Sequence, residues 1–68
     1  MAKSFSFGEH LRDLRIKKGL TQQDVGDYLN INRTTYTKYE TNVTQPNLEQ
    51  LKKLCELFEV DYNTLLNH

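Results

Sequence analysis

The stretch "TQQDVGDYLNINRTTYTKYE", residues Thr21–Glu40, contains the features that decide the fold. Thr21 and Asp24 have the spacing of a capping box, in which each side chain bonds the other residue's backbone amide at a helix start. Asn30 follows, and asparagine is second only to glycine as a left-handed turn residue. The stretch therefore predicts a short helix that starts after Thr21 and ends near Leu29.

A second helix follows almost at once. Asn32 is a good helix N-cap, which places the start of this helix near Arg33. Tyr36 and Tyr39 are spaced to lie on one apolar face, together with Ile31 before the cap. About three residues separate the two helices, and such a short connection with a left-handed residue makes the helices cross steeply.

A first helix is predicted before this pair. Ser6 and Glu9 form another capping-box pattern, and Gly19 is a suitable left-handed residue for the helix end. The apolar residues that follow the cap recur at helical spacing, namely Phe7, Leu11 and Leu14. This segment therefore predicts an amphipathic helix.

Two further helices are predicted after the pair. Asn42 is a left-handed candidate that closes the third helix, Asn47 with Gln50 caps a fourth, and Asp61 caps a fifth. The fourth is apolar over a wide face and is expected to be the central core element, with Leu48, Leu51, Leu54, Cys55, Leu57 and Phe58. No segment alternates apolar and polar residues as a strand would. The expected fold is all-α, with five short helices.

Length and composition set the class of protein. The 68 residues are expected to form one domain, residues 1–68. The single cysteine, Cys55, allows no internal disulfide and suits a reducing compartment. The chain has no apolar run long enough for a membrane span and no secretory signal, so a cytoplasmic location is expected.

The charge balance gives no strong indication of a partner. Net charge is zero, which by itself weighs against nucleic-acid binding. Residues 1–45 nevertheless carry seven basic and five acidic residues, whereas residues 46–68 carry two basic and four acidic ones. Cys55, His10 and His68 lack metal-ligand spacing, and Asp24 is better explained by its cap than by a catalytic pair with Asp27. No enzyme, metal site or cofactor is predicted.

Two segments carry a resemblance to a known family: "LRDLRIKKGLTQQDVGDYLNINRTTYTKYE" and "QPNLEQLKKLCELFEVDYNTLL". The chain resembles the Xre/Cro-type helix-turn-helix domain of phage and bacterial repressors over roughly residues 7–66. Gly26 matches the small-residue position where the two helices touch, and Asn30 stands where the family usually has glycine. The resemblance implies a lambda-repressor-like DNA-binding domain with its motif at about residues 21–40.

The resemblance also implies roles for individual residues. In the family the third helix lies in the major groove, with its early residues at base edges. The implied base-contacting residues are Arg33, Thr34, Thr37 and Lys38, which helical spacing places away from Tyr36 and Tyr39. The implied phosphate-contacting residues are Gln22, Asn32 and Thr44. Without the motif, the same helix face would be interpreted as an ordinary solvated surface.

A buried ion pair is implied as well. The family positions matching Arg15 and Glu40 join the first and third helices, and removal of either partner would strand a charge at a cost of roughly 3–5 kcal/mol. The loop after Glu40, "TNVTQP", departs from the family because it lacks the usual glycine at Asn42 and the neighbouring basic residues. Weaker or more salt-sensitive DNA binding is therefore expected.

Two functions follow from these features. The first is a sequence-specific double-stranded DNA-binding transcriptional regulator, expected to act as a repressor and to bind a palindromic operator as a dimer. Its dimer surface is expected at Tyr62, Leu65 and Leu66, although these residues would equally serve to close the core. The alternative is a protein-interaction module on the same fold, such as an antitoxin, which the neutral charge and the missing loop cations favour.

Overall fold

The computed structural model describes residues 7–66 and confirms the all-α fold. The five helices are α1 (Phe7–Lys17), α2 (Gln22–Leu29), α3 (Arg33–Glu40), α4 (Leu48–Phe58) and α5 (Tyr62–Leu66). Residues 7–66 contain no strand. None of the helices in this range has the length and apolar character needed to cross a bilayer.

The helix starts are fixed by the predicted side-chain caps. Thr21 Oγ1 accepts a hydrogen bond from the Asp24 amide at 3.0 Å, and the Asp24 carboxylate accepts one from the Thr21 amide at 2.8 Å. The other three caps each accept from the amide three residues later and are Asn32, Asn47 and Asp61. The predicted cap at Ser6 lies outside the described residues.

The helix ends use left-handed residues. Gly19 (φ 71°), Asn30 (φ 62°) and Asn42 (φ 64°) confirm the three predicted positions. Glu59, which ends α4, also has a positive φ of 58°, and its sequence context did not predict this. A side chain with a Cβ pays roughly 1–2 kcal/mol in this conformation, less for asparagine than for glutamate.

The core lies where α3 packs between α1 and α2. Tyr36 is the largest fully buried side chain, and its ring meets the edge of the Tyr39 ring at a centroid distance of 6.1 Å and an angle of 82°. The remaining buried hydrophobic residues come from the other four helices and are Leu11, Val25, Leu29, Leu54, Phe58 and Leu65.

Helix α4 contributes most, but not all, of its expected apolar face to the core. Leu54 and Phe58 are buried, and Leu51, Cys55 and Leu57 are half-buried and pack against them. The exception is Leu48 in the first turn, which is 64% exposed. Helical periodicity therefore identified the apolar face but not the exposure of its first residue.

Two glycines allow close contacts with α3 and the turn before it. A Cβ on Gly26 would lie 3.2 Å from the Ile31 carbonyl oxygen, so this glycine, expected where the two helices touch, lies against the turn that joins them. A Cβ on Gly8 would overlap the Glu40 carbonyl oxygen. The Gly8 amide also donates to Asn42 Oδ1 at 3.0 Å, so the start of α1 is held against the end of α3.

Candidate nucleic-acid interface

The two faces of α3 differ in exposure. Tyr36 and Tyr39 are buried, while Arg33, Thr34 and Lys38 are exposed on the other side. Arg33 and Thr34 belong to the first turn, and Lys38 lies one turn further along. The structure thus brings together three of the four residues that were assigned to base contacts.

Thr37, the fourth of these residues, is half-buried and bonded within the protein. Its hydroxyl lies 2.8 Å from Gln22 Oε1 and 2.9 Å from the Arg33 carbonyl oxygen, and these two acceptors share its single hydrogen. Thr37 therefore lies at the boundary between the exposed face of α3 and the α2–α3 contact.

Arg15 and Glu40 lie together as the resemblance implied. Arg15 Nε is 2.6 Å from Glu40 Oε2, and Arg15 Nη2 is 3.3 Å from Glu40 Oε1. Arg15 Nη1 also donates to the Leu20 carbonyl at 2.9 Å. The side chains are only 12% and 3% exposed, so the pair links α1, the α1–α2 turn and α3 inside the protein.

Hydrogen bonds keep the Glu40 carboxylate ionised. Burial by itself opposes ionisation, but donors from Arg15 and Gln22 outweigh it, and the pKa of Glu40 lies below its ordinary value. Gln22 Nε2 contributes a bond of 3.0 Å to Glu40 Oε1. The Glu40 carboxylate therefore accepts hydrogen bonds from a side chain of α1, Arg15, and a side chain of α2, Gln22.

The Tyr36 hydroxyl lies next to this cluster. It is buried and outside hydrogen-bonding geometry with the groups of the described chain. Burial, followed by the neighbouring Glu40 carboxylate, raises the pKa of Tyr36 far above its ordinary value. The Tyr36 phenol therefore stays protonated, and it stabilises the fold mainly through the packing of its ring.

A cleft of about 400 Å³ opens at the start of α2, beside α3. It is lined by Arg15, Leu20, Thr21, Gln22, Gln23 and Arg33. The first-turn amides of α2 have no acceptor within a regular helix, and the helix dipole places partial positive charge there. Together with the exposed Arg33 guanidinium, the cleft has the chemistry of an anion site.

The residues assigned to phosphate contacts occupy different surroundings. Gln22 is half-buried, and its side chain bonds Glu40 and Thr37. Asn32 is exposed, with Oδ1 occupied by the Thr35 amide at 2.7 Å. Thr44 is exposed in the loop after α3, where its amide donates to the Lys38 carbonyl at 3.3 Å.

The proposed dimer residues do not share one surface. Leu65 is fully buried in the core because α5 closes the helix bundle through it, and it is unavailable to a partner. This corrects its assignment to a dimer surface. Leu66 remains 48% exposed and Tyr62 is also exposed.

Helix α5 is also bonded to α1, because His10 Nε2 lies 2.9 Å from the Thr64 carbonyl oxygen.

Two features of the site were not found from sequence. Gly8 was not singled out, although glycine inside a helix is unfavourable by about 1 kcal/mol and its presence there is a hint of a close contact. The bonds of Gln22 to α3 were also missed, because they depend on how α2 and α3 cross. Within residues 7–66, no group of three or more His, Cys, Asp or Glu side chains is arranged to hold a metal ion.

A three-residue connection between two short helices, with an exposed polar face on the second, defines a helix-turn-helix domain. The sequence model of the Helix-turn-helix family matches residues 11–65. The chain belongs to this family.

Relatives in sequence and in structure agree with this assignment. The chain is 42% identical over 60 residues to the SPbeta prophage-derived HTH-type transcriptional regulator YonR of Bacillus subtilis (strain 168), covering 88% of this chain and 56% of that protein. It is 38% identical over 61 residues to the HTH-type transcriptional activator BcrR of Enterococcus faecalis, covering 90% of this chain and 30% of that protein. The chain thus spans about half or less of the length of these relatives. None of these names describes an enzyme.

A solved structure extends the likeness to a DNA complex. The P22 c2 repressor, crystallised with a synthetic operator, superposes with a TM-score of 0.86 at 25% identity, covering 94% of this chain and 97% of the repressor chain. The five-helix lambda-repressor-like fold expected from the sequence is therefore confirmed.

Proposed function

We propose that this chain is a sequence-specific double-stranded DNA-binding domain of a transcriptional regulator, with α3 as the helix that enters the major groove. The observation that carries the proposal is the exposed outer face of α3, which is formed by Arg33, Thr34 and Lys38. The opposite face of the same helix is buried. The likeness to a repressor crystallised with a synthetic operator supports DNA as the partner.

The side chains on this face match the chemistry of base edges. Arginine can form two bonds to guanine O6 and N7, threonine methyl groups contact the thymine methyl, and lysine donates to guanine. Arg33 and Thr34 stand in the first turn, the part of a recognition helix that comes nearest to the bases. We assign direct base contacts to Arg33, Thr34 and Lys38, with Thr37 contributing from the edge of this face.

The DNA backbone is expected to lie across the start of α2. The cleft there combines the backbone amides of Gln22 and Gln23, the positive end of the helix dipole and the side-chain amide of Gln22. Gln22 Nε2 uses one hydrogen for Glu40 and retains a second for a phosphate oxygen. Asn32, just before α3, and Thr44, in the loop after it, are both exposed and complete the proposed phosphate contacts.

The regulator is proposed to bind a palindromic operator as a dimer and to repress by occupying it. A single domain of this size buries too little DNA surface for high selectivity, and two-fold symmetry doubles the number of base contacts. Tyr62 and Leu66 are the exposed apolar side chains of α5 that are suited to the dimer contact. A DNA target and the free thiol of Cys55 both fit a cytoplasmic protein.

Selection of bound sites from random DNA duplexes tests the proposal. We expect a palindromic consensus with guanine at one position in each half-site. Binding to that consensus should weaken with salt, with a log–log slope on the order of −3 to −6 for a dimer, because each neutralised phosphate contributes about 0.9. Failure to enrich any site, or a slope near zero, would reject the proposal.

A protein-interaction module, such as an antitoxin, is the second candidate. The observation that favours it is an open apolar groove lined by Phe7, Gln45, Pro46, Leu51 and Leu66. Zero net charge agrees with it. Chromatography on immobilised generic duplex DNA at low salt distinguishes the two functions, because a module that binds only proteins is not retained on the column.

A further inference from the structure

A directed series of hydrogen bonds runs from the buried ion pair to the exposed face of α3. Gln22 Nε2 lies 3.0 Å from Glu40 Oε1, and Gln22 Oε1 lies 2.8 Å from Thr37 Oγ1. One side chain of α2 thus contacts both the interior end of α3 and a residue at the edge of its outer face.

The acid–base chemistry of these groups fixes the direction of the series. The Glu40 carboxylate, which Arg15 keeps ionised, can only accept hydrogen bonds. Gln22 must therefore turn its NH₂ group toward Glu40, which leaves its carbonyl oxygen toward Thr37. Since a carbonyl oxygen also only accepts, the Thr37 hydroxyl must act as the donor.

The Thr37 hydroxyl hydrogen is consequently held inside the protein. Its second acceptor, the Arg33 carbonyl at 2.9 Å, also receives the Thr37 amide in a regular helix. The groups that Thr37 can offer to DNA are then its oxygen lone pair and its methyl group. Adenine and cytosine present amine donors in the major groove and thymine presents a methyl group, whereas the edge of guanine carries only acceptors, N7 and O6.

We propose that Gln22 is a positioning residue that holds Thr37 as a hydrogen-bond acceptor, so that the base opposite Thr37 is adenine, cytosine or thymine and guanine is excluded. This inference rests on the proposed DNA-binding function and on α3 as the recognition helix. It separates two roles of Gln22, because a phosphate contact changes affinity on every sequence, whereas a positioning contact changes preference at one base pair.

Site selection with four proteins tests the inference: the parent chain, Gln22→Leu, Thr37→Val and the double variant. The base pair opposite Thr37 is identified as the one whose preference changes in Thr37→Val. At this base pair the parent should disfavour guanine by about fivefold, which is the scale of one neutral hydrogen bond. Gln22→Leu should relax the exclusion of guanine at that same base pair in part, because the hydroxyl loses its 2.8 Å acceptor and keeps only the Arg33 carbonyl, which the Thr37 amide already uses. The double variant should show no further change at that position.

Gln23→Leu is the matched control. Gln23 is the next residue on α2, is exposed, lines the same cleft as Gln22, and bonds Asp27 on its own helix at 2.9 Å. Any effect of its substitution should be the same on every DNA sequence, with base preferences unchanged. Melting curves establish that each variant is folded, and Thr37→Val decides the acceptor role by itself if Gln22→Leu does not fold.

Two outcomes overturn the inference while leaving the proposed function intact. In one, Gln22→Leu binds all sites more weakly and keeps the parent's exclusion of guanine, which makes Gln22 a phosphate contact only. In the other, Thr37→Val has the same base preferences as the parent. Failure of the parent to select any site would instead reject the proposed function.

Discussion

The two faces of α3 carry polar groups that satisfy opposite requirements. On the inner face, Glu40 is surrounded by donors from Arg15 and Gln22 and is 3% exposed. On the outer face, Arg33 and Lys38 are exposed to solvent. The inner polar group is already paired within the fold, whereas the outer ones are free to exchange water for a ligand.

This difference shows how eight residues can serve both stability and binding. A buried charge must have partners, because an unpaired one costs several kcal/mol. An exposed charge carries almost no cost for the fold and keeps its hydrogen-bonding groups for DNA. Substitutions on the inner face should therefore alter stability, and those on the outer face should alter binding.

The largest effect is expected at the centre of the inner face. Tyr36→Ala removes a fully buried ring and should lower the free energy of unfolding by about 3–5 kcal/mol. Tyr36→Phe is the control, since the buried hydroxyl lacks good hydrogen-bonding geometry and its removal should change stability by less than about 1 kcal/mol. Urea unfolding measures both. A loss of several kcal/mol in Tyr36→Phe would mean that the hydroxyl is bonded to Glu40 after all.

Glu40→Gln should cost about 3 kcal/mol at neutral pH, because it leaves the buried Arg15 without its counter-charge. The folded-state pKa of Glu40 is lowered, so its contribution is present above the ordinary pKa of glutamate and disappears as pH falls through the folded value. The stability difference between parent and variant should therefore shrink below roughly pH 4 to 5.

Unfolding free energies measured across pH provide this test. Glu49→Gln, on the exposed first turn of α4, is the matched control and should stay within about 0.5 kcal/mol of the parent. If Glu40→Gln melts like the parent but no longer binds DNA, Glu40 acts in binding and its structural role is rejected.

Gly8→Ala should destabilise the fold by about 2–3 kcal/mol, because the new methyl group overlaps the Glu40 carbonyl and α1 must move away from α3. Gly19→Ala provides a comparison with a different cause. It has open space around it but a φ of 71°, so its cost should be about 1 kcal/mol. Thermal melts compare the two. Equal stabilities of Gly8→Ala and the parent would show that α1 and α3 are less closely packed.

Arg33→Ala should leave the melting temperature nearly unchanged, since the side chain is exposed. It should weaken binding to the selected operator by about 1–3 kcal/mol and relax preference at one base position in each half-site. Lys52→Ala removes an exposed cation from α4 and should not change base preference. Uniform weakening on all sequences by Arg33→Ala would make Arg33 a phosphate contact.

Features set by a few neighbouring residues were predictable from the sequence. The caps at Thr21 and Asn32 depend on a side chain and an amide three residues later, and Asn30 depends on a local backbone preference. The five helices followed from such signals together with apolar periodicity. The exposed side of α3 could be placed for the same reason.

Features set by how helices meet were not predictable in this way. Periodicity shows that α4 has an apolar face, but it does not show that Leu48 at its start is left exposed. Leu65 and Leu66 are adjacent in sequence, and only the docking of α5 decides which one is buried. The bond of Gln22 to Thr37 likewise requires the observed crossing of α2 and α3.

The short connection between α2 and α3 has a consequence for the order of folding. Contacts between these helices close small loops, whereas the bond from Arg15 to Glu40 joins residues 25 positions apart. We expect the α2–α3 pair to form before α1 docks, so that Glu40 gains its charged partner after the transition state. Glu40→Gln should then accelerate unfolding more than it slows refolding. Stopped-flow kinetics in denaturant measure both rates, and a change confined to refolding would place the docking of α1 in the folding nucleus.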